Sequence, residues 1–400
     1  MKILYAHDRF GAHAGAESNI LHSAKGLQQR GHDVTIIHGP PTKAGEHAWK
    51  QVFPRHFSLP DSDRAKAVHS AIEIFNPDVI YLHSPIDSEV VSAIAESGPP
   101  VVRMVHDHQM FCPRGCRYPP WSRRPCTRKM TPYCVFPCGG ALSHNPFSGG
   151  FKQHNGYRAR KHEIALHKHF TRMVVASDYM RQELLRNEFN PARIEVHPPV
   201  PPDMGRDINP SFGSSNRIVY AGQLLRGKGV DVLLRSLSRV REPFECVILG
   251  DGNHRGFCES LSRRLNLADR VQFQGFVPQS TLVDYYREAT LSVVSSVWPE
   301  PFGATGLEAM RCGLPVVAFD VGGIGEWLVD GTNGYMVPWM DSERYAIRVE
   351  QLLADKNLAR RLGNQGKKMA ADRFGFNRYI DGLVEMFSRV CNQHRKEVAV

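Results

Sequence analysis

Residues 300–308 read Glu300-Pro-Phe-Gly-Ala-Thr-Gly-Leu-Glu308, and they join a short apolar strand, Leu291 to Ser296, to a helix expected over Gly306–Cys312. Gly303 and Gly306 let backbone come close to a ligand, and Thr305 has the side chain of an N-cap. The start of such a helix presents unpaired N–H groups and the positive end of the helix dipole, so it suits a phosphate or diphosphate without a cationic side chain. Glu300 before that position and Glu308 one turn inside it are then left to hold hydroxyls. A ligand with a sugar at each end of a diphosphate fits this arrangement.

Outward from this stretch, the second half of the chain is a β/α series. Strands are expected at Arg217–Ala221, Glu245–Leu249, Val271–Gly275, Leu291–Ser295, Pro315–Phe319 and Gly334–Val337. The first half alternates in the same way, with strands at Lys2–His7, Asp33–His38, Val79–His83, Val101–His106, Met173–Ala176 and Ile194–His197. Helices fit between them at Glu17–Arg30, Asp63–Phe75, Asp87–Glu96, Asn155–Phe170 and Tyr179–Asn187. Such alternation predicts parallel, doubly wound sheets, hence an α/β protein. Pro198-Pro-Val-Pro-Pro202 interrupts it as a stiff linker. The expected division is a Rossmann-like domain over 1–198 and a second Rossmann-like domain over 203–374, followed by a last helical stretch over 375–400. Ligands of open α/β sheets bind beyond the carboxyl ends of the strands, so function is expected in the cleft where the two domains face each other.

Composition narrows the class. Four hundred residues with 42% hydrophobic content are enough for two cores. No apolar run reaches the roughly 20 residues of a membrane-spanning helix. Met1-Lys-Ile-Leu-Tyr-Ala-His7 reads as a first strand and not a signal peptide, so a cytoplasmic protein is expected. The net charge of +10 is concentrated: residues 101–172 hold 13 Lys/Arg against two acidic residues, Asp107 and Glu163. That patch suits an anionic membrane surface or a phosphate-bearing acceptor, or is a solvated face; no nucleic-acid-binding motif accompanies it, so nucleic acid is not an expected partner.

The 300–308 stretch resembles the E-x7-E motif of retaining glycosyltransferases. Around it, Val219-Tyr-Ala-Gly-Gln-Leu-Leu-Arg-Gly-Lys-Gly-Val230, Ile248-Leu-Gly-Asp-Gly252, Val271-Gln-Phe-Gln-Gly-Phe-Val277 and Pro315-Val-Val-Ala-Phe-Asp-Val-Gly-Gly-Ile-Gly-Glu326 follow in the order found in glycosyltransferase family 4. The chain is similar to that family through nearly all of 215–340 and more loosely through 1–110. The resemblance implies a GT-B fold, in which the C-terminal helix over 375–400 rejoins the first domain, and transfer of a sugar from a nucleotide-diphosphate sugar to an acceptor hydroxyl, with retention and without a required cofactor or metal. Cell-surface polysaccharide or glycolipid synthesis, peripheral to the membrane, is the implied setting.

The family's site residues map onto this chain as follows. Lys228 and Glu300 would serve the diphosphate and the donor sugar, and His106 would stand near the anomeric centre. Substrate-binding positions would be Gly15, Gln223, Arg226, Gly250, Val277, Phe302, Gly303, Ala304, Thr305 and Glu308. Two departures stand out: Gln223 replaces the usual arginine, and Gly15 alone remains of a glycine pair, with Ala14 before it. They keep one alternative open, a nucleotide-sugar-binding protein with impaired catalysis; an epimerase or hydrolase on the same fold is the other. Cys112, Cys116, Cys126, Cys134 and Cys138 lie within 27 residues, spaced C-x3-C-x9-C-x7-C-x3-C. They can be free thiols, a structural zinc site or disulfides.

Overall fold

The apolar runs of the first half become a parallel sheet of seven strands: β1 (Lys2–His7), β2 (Asp33–His38), β3 (His56–Ser58), β4 (Val79–Leu82), β5 (Val101–Val105), β8 (Arg172–Val175) and β9 (Ile194–Val196). A small antiparallel hairpin, β6 (Leu142–His144) and β7 (Phe151–Gln153), stands apart between β5 and β8. The second half forms a parallel sheet of six: β10 (Arg217–Ala221), β11 (Glu245–Leu249), β12 (Val271–Gly275), β13 (Leu291–Val294), β14 (Val316–Phe319) and β15 (Gly334–Val337). Strand order is β3-β2-β1-β4-β5-β8-β9 in one and β12-β11-β10-β13-β14-β15 in the other. These are two doubly wound Rossmann-like sheets, seen in a computed structural model that describes residues 1–400 except 12–14, 43, 84–87, 120, 141, 145–150, 154–156, 203–207, 214–215 and 399–400.

Both sheets are covered by helices on their two faces, which is why their central strands are apolar on successive residues instead of alternate ones. β4, β13 and β14 are buried at every position. In each sheet the winding reverses beside the first strand, between β1 and β4 and between β10 and β13. At those reversals the loops leaving the strands diverge and open a crevice.

The helix Phe376–Val398 belongs spatially to the first sheet. Its Phe387 ring packs edge-on against Tyr81 of β4 at 5.1 Å. Asn19 donates to the Tyr379 hydroxyl at 2.9 Å, and Arg30 pairs with Asp381 at 2.6 Å. Gly26 is needed there because a Cβ would fall 2.8 Å from the Ile380 side chain.

Several element boundaries differ from the sequence reading. Short β3, only half-buried, carries too little apolar pattern to stand out. The helix expected over Asn155–Phe170 spans Tyr157–His167; its expected first residue and the Gly11–Ala14 turn lie outside the described residues apart from Gly11. The helix after β13 begins at Ala304, two residues before the expected start, so Thr305 lies in its first turn and is not the N-cap. Gly303 takes that position with φ 80°, a left-handed conformation that glycine adopts without a Cβ penalty. The linker is not a loose hinge throughout: Val200 is buried and the Pro201 carbonyl accepts from Arg311 at 2.6 Å, while 203–207 lie outside the described residues.

Candidate active site

The loops at the carboxyl ends of β10 and β13 bring two of the expected residues into contact. Lys228 Nζ donates to Glu300 Oε1 at 2.7 Å and also lies 5.1 Å over the Trp298 ring. Ser296 Oγ donates to the same carboxylate oxygen. Glu300 is buried; burial raises its pKa, but Lys228, Ser296 and Trp298 outweigh that and hold the carboxyl below its ordinary value. The Glu300 carboxylate is therefore ionised and fixed, with Lys228 as its cation.

Backbone geometry holds the lysine turn in place. Val297 and Trp298 both donate to the Gly227 carbonyl, at 2.9 and 3.1 Å. Gly229, with φ 67°, begins the helix Val230–Leu237, and a Cβ there would fall 2.0 Å from the Ser295 carbonyl oxygen. Only glycine satisfies both demands. Beside it the expected nucleotide turns interlock: a Cβ on Gly250 would sit 1.9 Å from the Gly222 carbonyl oxygen, and Gly250 N donates to the Gly275 carbonyl at 2.7 Å. Val277 packs half-buried against this core, whereas Gln223 and Arg226 are exposed.

The helix Ala304–Arg311 starts next to Glu300 and rests on Trp327. The Trp327 indole N–H donates to the Phe302 carbonyl at 2.7 Å, and a Cβ on Gly306 would come within 2.1 Å of its ring. Phe302 is buried, while Gly303, Ala304 and Thr305 are half-buried. Gly306 N donates to the Gly303 carbonyl at 3.1 Å, and the amides before it stand at a helix start, a geometry that suits an anion. Glu308, half-buried one turn in, has no ion-pair partner among the described residues. Burial in apolar surroundings pushes its carboxyl up to about 7.

On the first domain, His106 follows β5 and its Nε2 is 2.8 Å from His83 Nδ1, at the end of β4. The two rings stack at 5.1 Å, and His83 stacks in turn on Tyr5. Burial lowers the His106 imidazole to about 3, with Arg103 and His7 adding to the effect, and lowers His83 well below its usual range. Both histidines are neutral near pH 7, so one donates to the other. Arg103 lies buried in the middle of β5 and donates to the His83 carbonyl. Buried nitrogen atoms without a hydrogen-bond partner remain at His7, His83 and Arg103. This buried polar cluster lies beneath His106, which is itself half-buried. Gly15, at the start of the helix Gly15–Gln28, faces open space where a side chain would be.

Thus Lys228 and Glu300 meet directly and the Gly303–Thr305 helix start adjoins them, whereas no direct hydrogen bond links His106 to either among the described residues. Sequence reasoning missed His83, Ser296, Trp298 and Trp327. One signal for His83 was available: β1, β2, β4 and β5 all end on or next to a histidine, His7, His38, His83 and His106. The five cysteines of the 112–138 segment are all free thiols. Among the described residues no group of three or more His, Cys, Asp or Glu is placed to hold a metal ion. The segment is instead pinned by buried Arg117, which pairs with buried Glu183 and donates to the Arg128 carbonyl at 2.8 Å.

Two facing Rossmann-like sheets with a lysine–glutamate pair and a helix start at their seam define a GT-B protein. Glycosyltransferase Family 4 matches residues 13–200, and Glycosyl transferases group 1 matches residues 205–369. The chain belongs to this family of glycosyltransferases. It is 34% identical over 184 residues to D-inositol 3-phosphate glycosyltransferase 2 of Catenulispora acidiphila, covering 43% of each chain. It is 32% identical over 172 residues to an uncharacterized glycosyltransferase of Methanocaldococcus jannaschii, covering 42% of this chain and 44% of that one. The chain thus spans less than half the length of these curated relatives. In fold it is similar to the Anabaena HepE protein in complex with UDP and glucose, with a TM-score of 0.72 at 18% identity over 97% of this chain and 100% of that one. It is likewise similar to sucrose-phosphate synthase of Thermosynechococcus elongatus, with a TM-score of 0.71 at 17% identity over 98% and 99%.

Proposed function

We propose that this chain transfers a hexose from a nucleotide-diphosphate sugar to an acceptor hydroxyl with retention of anomeric configuration, in the synthesis of a cell-surface polysaccharide or glycolipid. The observation that carries the reading is the Lys228–Glu300 pair beside the helix start at Gly303. In the resting protein the lysine is occupied by the carboxylate. Arrival of a donor gives it a diphosphate oxygen to share, and releases Glu300 oxygen lone pairs to the sugar hydroxyls. As the glycosidic bond to the diphosphate breaks, negative charge grows on the departing oxygen, which Lys228 and the Gly303–Thr305 amides would neutralise; preorganised donors of this kind are worth most in transition-state stabilisation. The departing phosphate oxygen takes the acceptor proton on the same face. Lys228 and the amides do the neutralising that a divalent ion does elsewhere, so transfer should survive EDTA.

Glu308 is assigned to ribose hydroxyls and Val277 with Gly250 to the base. Gln223 supplies a hydrogen bond but no charge to the phosphates, with Arg226 close by. His106, held by His83, positions the acceptor. The division into an acceptor-side domain over 1–198 and a donor domain over 203–374 follows the two sheets. An acceptor carrying an anionic group fits the basic 101–172 region, as does a peripheral place on an anionic membrane; no helix among the described residues is long and apolar enough to cross one. UDP-sugars are the first donors to try, since a GT-B neighbour was solved with UDP and glucose. A thermal-shift screen of UDP-, GDP- and ADP-sugars, followed by product analysis, tests the reading. Glu300→Ala should abolish transfer with the fold intact by circular dichroism, and unchanged turnover in that variant would refute the assignment.

A further inference from the structure

The donor half-site is held from outside its own domain. Two residues of the cysteine-rich segment that follows β5 reach the lysine turn from either side of Lys228. Tyr118, itself buried, covers Gly227 so closely that a Cβ there would lie 3.3 Å from its ring. Arg123 lays both terminal nitrogens on Asp231, Nη1 to Oδ1 at 2.9 Å and Nη2 to Oδ2 at 2.8 Å. Asp231 stands in the first turn of the helix Val230–Leu237, three residues after Lys228, and both partners of the pair are about nine-tenths buried, with 11% and 9% side-chain exposure. Burial alone would raise the aspartate; His254 and Arg123 overcome it and lower the carboxyl to about 2, so it is fully ionised.

The same segment also reaches the other member of the pair. His108 Nε2 donates to the Pro299 carbonyl at 2.8 Å, and its ring meets Trp298 edge-on at 5.7 Å. Pro299 directly precedes Glu300, and Trp298 lies under Lys228. Because burial lowers the His108 imidazole to about 4, it is neutral and its single N–H is committed to that carbonyl.

We propose that His108, Tyr118 and Arg123 form a clamp on the donor site, in which Arg123, acting through Asp231, is a positioning residue for Lys228. This rests on the function proposed above and adds a donor-specificity element supplied by the acceptor-side domain. The clamp sets where the Lys228 ammonium sits relative to Glu300 before any donor arrives, and a donor binds well only when the two domains are together. Misplacement of a positioned group by about 1 Å costs up to a hundredfold in rate, so the loss is measurable.

The test compares Arg123→Ala, Arg123→Lys, Asp231→Asn, the double variant Arg123→Ala with Asp231→Asn, the single reversals Arg123→Asp and Asp231→Arg, and the exchanged pair that combines those reversals, all in the full chain. UDP, GDP and ADP binding by calorimetry gives one readout, and donor and acceptor KM and kcat give the other. Arg123→Ala should lower kcat over donor KM by roughly ten- to a hundredfold, weaken nucleotide affinity and leave acceptor KM unchanged; its melting temperature should fall, because the Asp231 carboxylate is left buried with only His254 beside it, so all assays are run well below that temperature. Arg123→Lys should recover part of the loss, and the exchanged pair should bind more tightly than either of its single charge reversals. Nucleotide affinity in Arg123→Ala within twofold of wild type would overturn the clamp, as would effects of Arg123→Ala and Asp231→Asn that simply multiply in the double variant. So would a loss that disappears when the variant is measured well below its melting temperature. A wild-type protein that binds none of the three nucleotides removes the donor site itself and the clamp with it, whereas wild-type binding matched by Arg123→Ala removes only the clamp.

Discussion

Glu308 and Glu300 are both carboxylates at one seam, yet their surroundings drive them apart. Glu300 has a lysine and a hydroxyl donor within reach and is ionised; its contribution to folding is present above the ordinary carboxylate pKa and is lost only as pH falls through its lowered value. Glu308 has burial and no cation, so its pKa stands near 7. In the free protein the neutral form predominates only below about pH 7, and its share of stability is complete at low pH and lost as pH rises through about 7. Ribose hydroxyls donate better to the ionised form, so donor binding pulls the proton off. Nucleotide affinity should therefore fall as pH drops below 7, with proton release on binding seen as a dependence of calorimetric heat on buffer ionisation enthalpy. Glu308→Gln should flatten this pH dependence. His106→Asn should leave it in place, because His106 already titrates near 3. These charge states depend on burial created by distant chain segments, so the sequence could name Glu300, Glu308 and His106 as candidates but not rank their protonation. Arg103 was equally invisible, since a cation inside an otherwise apolar strand looks like an interruption until its neighbours are known.

The helix Ala304–Arg311 shows how an element can be recognised and still be misplaced at its edge. Its apolar pattern and the glycines were legible, and so were the nine strands interior to the two sheets, because strands buried on both faces write themselves as continuous apolar runs. The choice between Thr305 and Gly303 at the N-cap was not, because it is made by Trp327 and Ile324 packing from 18 or more residues away. Gly306 is required by the same indole. Gly306→Ala should overpack that contact and cost about 1–3 kcal/mol, read as a lowered urea midpoint with an unchanged slope. It should also weaken nucleotide binding by tilting the helix start. Gly15→Ala, where the space is open, is the control and should fold as wild type.

At the scale of the whole chain, the last helix closes the first domain. Ile380, Leu383, Met386, Phe387 and Val390 are all fully buried in it. At about 1.5–3 kcal/mol for each such side chain, an upper bound near 7–15 kcal/mol, they equal the entire stability of an ordinary domain. Ending the chain at Phe374 should yield aggregated protein or a first domain without cooperative unfolding, and a soluble truncated product with a sharp melting transition would contradict this. Contacts between the two halves were hidden in the sequence by distance: 191 residues separate His108 from Pro299, 124 separate Ser177 from Pro301, and 108 separate Arg123 from Asp231. They differ in what they ask of the opposite half. Ser177 and His108 address main-chain carbonyls, which any residue offers, whereas Arg123 addresses one carboxylate. A chimera that grafts a relative's donor half onto this acceptor half would retain the first two couplings by default and forfeit the third unless an acidic residue occupies position 231, so the two halves are not interchangeable cassettes, and a change of donor preference in such hybrids has to bring residue 123 along.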